Sequence, residues 1–280
     1  MIFKTRLFNL IVNVLIYGLL FAVSAFMILP FLWMLTTSVK PPDEIFGFPP
    51  ILISSRSSLN AYIYLIEKYN VLRVLANTLI VSLAATALQL FFCSLGGYGF
   101  AKYKFPGQRL LFSFLLATMI VPFAVLMVPL YLIIRYLQWI DTYWPLTIPF
   151  AANAFGIFFM RQYISTISNE LLDAARIDGA GEFSIYWRII FPIIVPGLTS
   201  LGLIIFMGTW NSFLWPLIVL KSPETFTIPL TISSLTGQVG RTVWNEYMAT
   251  AIMSILPLLI IFLIFQRRFV EGITAGAIRG

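Results

Sequence analysis

Apolar positions in this chain are collected into long uncharged runs, not spread in short alternation. Between successive charges lie six such runs, residues 7–39, 74–101, 110–134, 142–160, 189–220 and 247–266. A helix rises about 1.5 Å per residue, so roughly 20 residues cross a hydrocarbon layer of about 30 Å. Each run is long enough, and only the fourth, at 19 residues, lies near the lower limit. The pattern predicts an all-α integral membrane protein with six transmembrane helices. Lys4 and Arg6 precede the first run as in a secretory signal, but the run is too long and lacks a small-residue cleavage site, so it is expected to be a membrane anchor. The run 225–240 is shorter and rich in Thr, Ser and Gly, and is expected to be an extramembrane or interfacial loop.

Composition agrees with the pattern: 60% of the 280 residues are hydrophobic and 10% are charged, with mean hydropathy +0.93, against roughly 25% charged in soluble domains. If the amino terminus is cytoplasmic, inner segments hold 11 of the 18 Lys and Arg residues, which predicts both termini inside. The net charge of +7 is then a topology signal, and no nucleic-acid partner is implied. Residues 1–70 are expected to form an N-terminal transmembrane helix and extracytoplasmic loop, 71–266 a core of five transmembrane helices, and 267–280 a cytoplasmic tail.

One segment interrupts the oil. Residues 165–192 lie between the fourth and fifth runs, on the cytoplasmic side, and include Asp173-Ala174-Ala175-Arg176-Ile177-Asp178-Gly179. Helical projection from Leu171 groups Leu171, Leu172, Ala174 and Ala175 on one arc and sets Asp173 with Arg176 on another. Ser168 is placed to cap the helix, Glu170 suits the positive end of its dipole, and Gly179 and Gly181 end it after Asp178. A second helix is expected from Glu182 through Trp187 toward Pro192. Small residues at 174, 175 and 179 suit close approach to a protein surface; an interfacial helix lying on lipid headgroups is the alternative, and four acidic residues between 170 and 182 oppose it on an anionic membrane.

The spacing Asp173-Ala174-Ala175, then Gly179, then Ile189 and Phe191-Pro192 resembles the EAA motif of binding-protein-dependent ABC importer permeases, which have a MetI-like core. Trp210-Asn211-Ser212-Phe213-Leu214-Trp215-Pro216 and Gly272-Ile273-Thr274-Ala275-Gly276 are similar to the carbohydrate-importer branch, in particular MalG-like subunits. Asp173 stands where Glu is usual and Phe191 where Leu is common. The resemblance implies that Glu170, Leu171, Asp173, Ala174, Ala175, Arg176, Asp178, Gly179, Ile189 and Pro192 couple the membrane helices to a cytoplasmic ATPase. It implies the same contact for Gly272, Thr274 and Gly276 in the tail, where the residues alone read equally as a frayed basic anchor. The partners it implies are a homologous second permease forming a heterodimer, two ATPase subunits and an extracytoplasmic solute-binding protein, in the lipid of a bacterial or archaeal cell membrane.

No Gly-x-x-x-x-Gly-Lys-[Ser/Thr] loop is present, so this chain is expected to hold no cofactor, with ATP and magnesium on the partner ATPase. Without histidine and with one cysteine, Cys93, neither a disulfide within the chain nor a Cys/His metal site can form, and no nucleophile–base pair is evident, so catalysis is not expected. The six runs carry no charge, which opposes ion-coupled transport and suits a neutral, hydroxyl-rich solute such as a sugar or oligosaccharide. Gln89, Asn153, Trp210, Asn211 and Trp215 are the candidates for a substrate path, although such residues more often bond neighbouring helices or anchor interfaces. A glycerol phosphodiester or glycerol phosphate is the alternative cargo.

Overall fold

The computed structural model describes residues 2–49, 51–236 and 244–277, and the side chains of 12–49, 51–235, 244–264 and 266. All regular elements among them are helical. The chain divides into two compact units, Met1–Asn70 with Ile232–Ile255, and Val71–Thr231 with Leu256–Gly280.

In the first unit α1 (Ile2–Val39) is a long apolar helix, and its span Val12–Val39 leaves no residue of its most apolar window buried, as expected of a helix wrapped in lipid. A connection with two helices follows, α2 (Pro42–Ile45) and then α3 (Asn60–Tyr69), which ends at Asn70 in the left-handed conformation, φ 46°. Ser38 and Tyr62 hydroxyls are bonded at 2.9 Å, tying α1 to α3. Arg56 bridges Asp43 and Glu44 at 2.5 and 2.6 Å, and Lys40 lies 4.9 Å over the Trp33 ring.

The second unit is organised on α4 (Val71–Lys102), packed against α8 (Ala154–Ser165) and α11 (Phe191–Trp210). Their close crossing depends on residues without bulk. A Cβ on Gly97 would sit 2.6 Å from Met160 Cβ and 2.8 Å from the Arg161 nitrogen, and one on Gly156 would sit 2.6 Å from Cys93 Sγ. Gly197 likewise has Tyr163 against it. Small residues let backbones approach where lipid gives no hydrophobic drive between helices.

Between these come α5 (Gln108–Thr118), α6 (Phe123–Tyr136) and α7 (Trp144–Thr147), and after them α9 (Asn169–Ile177), α10 (Glu182–Ile185), α12 (Leu214–Val219), α13 (Ile228–Thr236) and α14 (Trp244–Ala277). Among the described residues, four helices are long and apolar enough to cross a membrane: Val12–Val39, Val71–Lys102, Glu182–Trp210 and Trp244–Ile264. The third run is a broken pair, α5 and α6 bent by 98°. The fourth run is subdivided into α7, a 3-10 turn Ile148–Phe150, and α8. Proline explains the breaks. Pro122 caps α6, Pro145 opens α7 and Pro149 lies in the 3-10 turn, each where a missing N–H interrupts no helix interior.

The stretch 225–240, expected as a loop, is corrected for its described part: Ile228–Thr236 is α13. Thr78 Oγ1 accepts the Ile228 N–H at 2.9 Å, so a buried hydroxyl from α4 satisfies one of the orphan donors of the first turn. Residues 237–240 lie outside the described residues.

Candidate functional site

The segment joining α8 to α11 is built by local signals. Ser168 Oγ accepts the Glu170 N–H at 3.2 Å and starts α9. Its end is a Schellman arrangement: the Gly179 N–H donates to Arg176 O at 3.0 Å and the Ala180 N–H to Ala175 O at 2.9 Å. Gly179 takes φ +82°, which a side chain adopts only with strain. Gly181, expected as a second stop, instead caps the next helix at φ −71°. That helix begins at Glu182 as expected and runs unbroken through a π turn, Tyr186–Ile190, into α11; the Phe191 N–H reaches back five residues to Tyr186 O.

The expected apolar arc of α9 is divided. Leu172 and Ala175 are buried with Tyr98, Met160, Ile164 and Ile185, whereas Leu171 and Ala174 are exposed. This nine-residue helix buries only a narrow stripe. The outward face then carries Leu171, Ala174 and Ile177, with Ile177 86% exposed and Phe183 beyond it 72% exposed. Polar anchors hold the segment in place. Lys102 at the end of α4 donates to Ile167 O at 2.5 Å and Asn169 Oδ1 at 2.9 Å. The Tyr103 phenol donates to Glu182 at 2.6 Å, and burial followed by that bond pushes its pKa up, so it remains a donor. Arg176 pairs with Glu182 and Asp173, both at 2.8 Å, and these bonds, Glu182 first, raise its already high pKa further. Glu170 and Asp178 are exposed at the two ends of α9. Ile189 is half-buried and Pro192 exposed, both on the helix that continues into the span, apart from the outward face of α9.

Of the five substrate-path candidates, Gln89, Asn153 and Trp215 line one cavity of about 360 Å³. Asn153 caps α8 through Oδ1, which accepts the Gly156 N–H at 2.7 Å, and its Nδ2 donates to Gln89 Oε1. The Trp215 indole N–H donates to Pro145 O at 2.9 Å. Trp210 and Asn211 lie elsewhere: Trp210 is buried and stacked on Phe206 at 5.5 Å, and Asn211 is exposed with its amide on Met207 O. The tail candidates Gly272, Thr274 and Gly276 continue α14, and their side chains lie outside the described residues.

Residues 93–275 match the family model described as the binding-protein-dependent transport system inner membrane component. The chain belongs to this family. The permease is 36% identical over 260 residues, 92% of each chain, to the arabinooligosaccharides transport system permease protein AraQ of Bacillus subtilis. It is 34% identical to the lactose transport system permease protein LacG of Rhizobium radiobacter, over 91% of this chain and 93% of that one. Its fold matches the crystal structure of a bacterial ABC transporter involved in the import of the acidic polysaccharide alginate, with TM-score 0.80, 25% identity, and coverage of 94% and 97%. It is therefore a multi-pass membrane component of a transport system and not a catalyst.

Sequence reasoning missed the residues that complete the cavity, among them Phe123, Phe150 and Thr227. Apolar and hydroxyl residues of this kind carry no distinguishing pattern in an apolar chain. It also missed Lys102 and Tyr103 as anchors of α9, whose only signal was their position just beyond a run.

Proposed function

We propose that this permease is the transmembrane subunit of an ATP-driven importer for a sugar or oligosaccharide delivered by an external solute-binding protein. The observation that carries the proposal is α9, fixed by Lys102 and by the Glu182 cluster yet presenting Leu171, Ala174 and Ile177 outward. A short helix held this firmly, with an uncovered apolar face between charged ends, suits a groove on another protein. An ATPase subunit docked there transmits its closure through Glu182–Trp210, a span continuous with the segment. Two such ATPases, carrying ATP and magnesium, and a homologous second permease complete the assembly. The tail with Gly272, Thr274 and Gly276 makes a second ATPase contact, and α9 and both termini face the cytoplasm. The sugar relatives and the alginate importer support the cargo class.

Purified importer in proteoliposomes, given binding protein and ATP but no ion gradient, is expected to accumulate sugar. Uptake that demands a proton or sodium gradient and ignores ATP sinks the proposal. Topology is read separately by cysteine labelling: position 178 should react from the cytoplasmic side and position 67 from outside.

A further inference from the structure

Four interruptions in the helices of the second unit meet at the 360 Å³ cavity. Phe123 begins α6 after the 98° bend, Asn153 begins α8 after the 3-10 turn, Ser212 follows the end of α11, and Thr227 precedes α13. Irregular backbone at membrane depth persists only where protein covers it or where it lines a cavity, and broken helices are a recurrent means of presenting polar groups to a solute. The volume falls in the roughly 300–1,000 Å³ range of small-molecule sites.

Two of its polar groups are not consumed by the fold. Thr227 is 4% exposed and its Oγ1 has no hydrogen-bond partner. Thr227 lines the cavity, so a bond from its hydroxyl to a solute would break no protein bond. Because Asn153 Oδ1 already accepts from Gly156, Asn153 must donate through Nδ2, which assigns Oε1 of Gln89 as the acceptor and leaves the Gln89 NH2 as a donor without a bond among the described residues. The walls are aromatic: Phe123, Phe150 and Trp215 stand edge to face, with centroids 5.7, 5.8 and 6.5 Å apart. Trp215 is fixed by its bond to Pro145, so it serves as a rigid wall. No lining residue is charged. A phosphate or carboxylate entering here would lose its hydration with no countercharge, whereas a neutral ring with hydroxyls exchanges water for Thr227 and Gln89 and lays its C–H surface on the aromatic walls.

We propose that this chain itself binds one neutral sugar unit in this cavity, with Thr227 and Gln89 bonding its hydroxyls and Phe123, Phe150 and Trp215 forming its apolar walls. The proposal rests on the importer reading above and names both the contacting residues and the charge class of the cargo.

The test uses the complete importer in proteoliposomes with its binding protein and ATP, and compares 14C-labelled arabinobiose, lactose and maltose with digalacturonate and glycerol phosphate. Thr227→Val, which keeps shape and removes the hydroxyl, is expected to lower uptake of the neutral sugar about two- to tenfold, the loss of one hydrogen bond. Stimulation of ATP hydrolysis by the binding protein should persist, and Thr227→Ser should restore uptake. Occupancy is read directly by methyl methanethiosulfonate labelling of Ser212→Cys, Cys93 being fully buried; the transported sugar should slow that labelling at least threefold. Absence of sugar protection at position 212 overturns the site whatever Thr227→Val does, and leaves the importer reading intact if the wild type still takes up sugar. A wild-type importer that carries only digalacturonate or glycerol phosphate overturns the site and the sugar reading together.

Discussion

The α4–α8 crossing and the turn after α9 both rely on glycine, for opposite reasons. At the crossing, Gly97 has no room: an added Cβ meets Met160 and the Arg161 backbone below 3 Å. At the turn, a Cβ on Gly179 has nothing within 4 Å, and only its φ of +82° calls for glycine. The crossing is a contact the chain completes within itself. The α9 segment is equally well held at its base but leaves one face uncovered, with Ile177 86% exposed. In a membrane protein a small residue therefore marks either a finished contact or a shaped terminus, and space around the missing Cβ tells them apart.

The largest effect should follow from filling the finished contact. Gly97→Leu drives a side chain into backbone atoms of α8 that cannot rotate away, so its cost should reach or exceed the roughly 3 kcal/mol upper end of overpacking. Membrane yield should collapse, and the unfolding midpoint of any recovered protein should drop sharply. A Gly97→Leu permease with wild-type yield and unfolding would break the contrast at once.

At the other region the fold should survive while assembly fails. Gly179→Leu has space but must hold a branched side chain at positive φ beside the uncovered face, and the loss of a central contact typically costs about 2 kcal/mol, roughly thirtyfold in ATPase affinity. The variant should insert normally and lose co-purifying ATPase together with sugar uptake. Normal retention would mean that the segment faces lipid headgroups instead. Ile177→Asp sharpens the point, because it leaves the turn untouched. An exposed substitution should leave unfolding within about 0.5 kcal/mol and still lower ATPase retention about tenfold. Equal loss of stability and retention would show that Ile177 belongs to the fold and not to a partner surface.

How legible these regions were follows from how local their causes are. The limits of α9 are written in neighbouring residues, Ser168 at its start and Gly179 at its end, and the structure agrees with both. Which face it buries is not local: projection grouped Leu171 and Ala174 with Leu172 and Ala175, but only the latter two meet Tyr98 and Ile185. The long uncharged runs indicated membrane helices, while prolines and Asn153 subdivided the runs 110–134 and 142–160 in ways that hydropathy does not register. The cavity was the least legible. Phe123, Phe150 and Thr227 come from distant elements, and Thr227 sits in a stretch whose Thr and Ser content suggested a loop until Thr78 of α4 was seen to cap α13.

Polar groups repeat the contrast with smaller consequences. Asp141, in the connection after α6, accepts from the Lys221 and Ser222 amides at 2.9 and 3.0 Å, the Thr225 hydroxyl at 2.7 Å, and the Ser222 hydroxyl. Burial alone would raise its pKa, but these bonds outweigh burial and hold it well below the usual carboxylate range. A depressed pKa gives stability that is fully present above the unfolded value, about 3.9, and is lost only as pH falls through the folded value. Local opening read from amide exchange at Lys221, Ser222, Glu224 and Thr225, corrected for intrinsic exchange, should therefore stay flat from pH 7 to pH 5, and Asp141→Asn should raise it across that whole range. A wild-type rise in opening, corrected for intrinsic exchange, between pH 7 and pH 5 would show that the clasp is not made by the ionised carboxylate.

The smallest effect is expected from the ion pairs of α9. Arg176 reaches Asp173 and Glu182 at 2.8 Å each, but all three side chains are open to water, at 37%, 62% and 46% of their surface. Exposed pairs are screened and pay in side-chain freedom, so removing one should scarcely change stability. The two acids nevertheless differ. Glu182 also accepts from Tyr103 at 2.6 Å and thus joins α9 to the end of α4, whereas Asp173 bonds only within α9. Asp173→Ala should leave unfolding unchanged and ATPase retention slightly reduced, the reduction disappearing in high salt. Glu182→Ala should weaken retention more, and salt should abolish less of that difference, because the lost bond to Tyr103 positions the helix itself. Equal and fully salt-erased effects in the two variants would show that the segment is steered by charge alone, and that its fixed geometry does not matter to the partner.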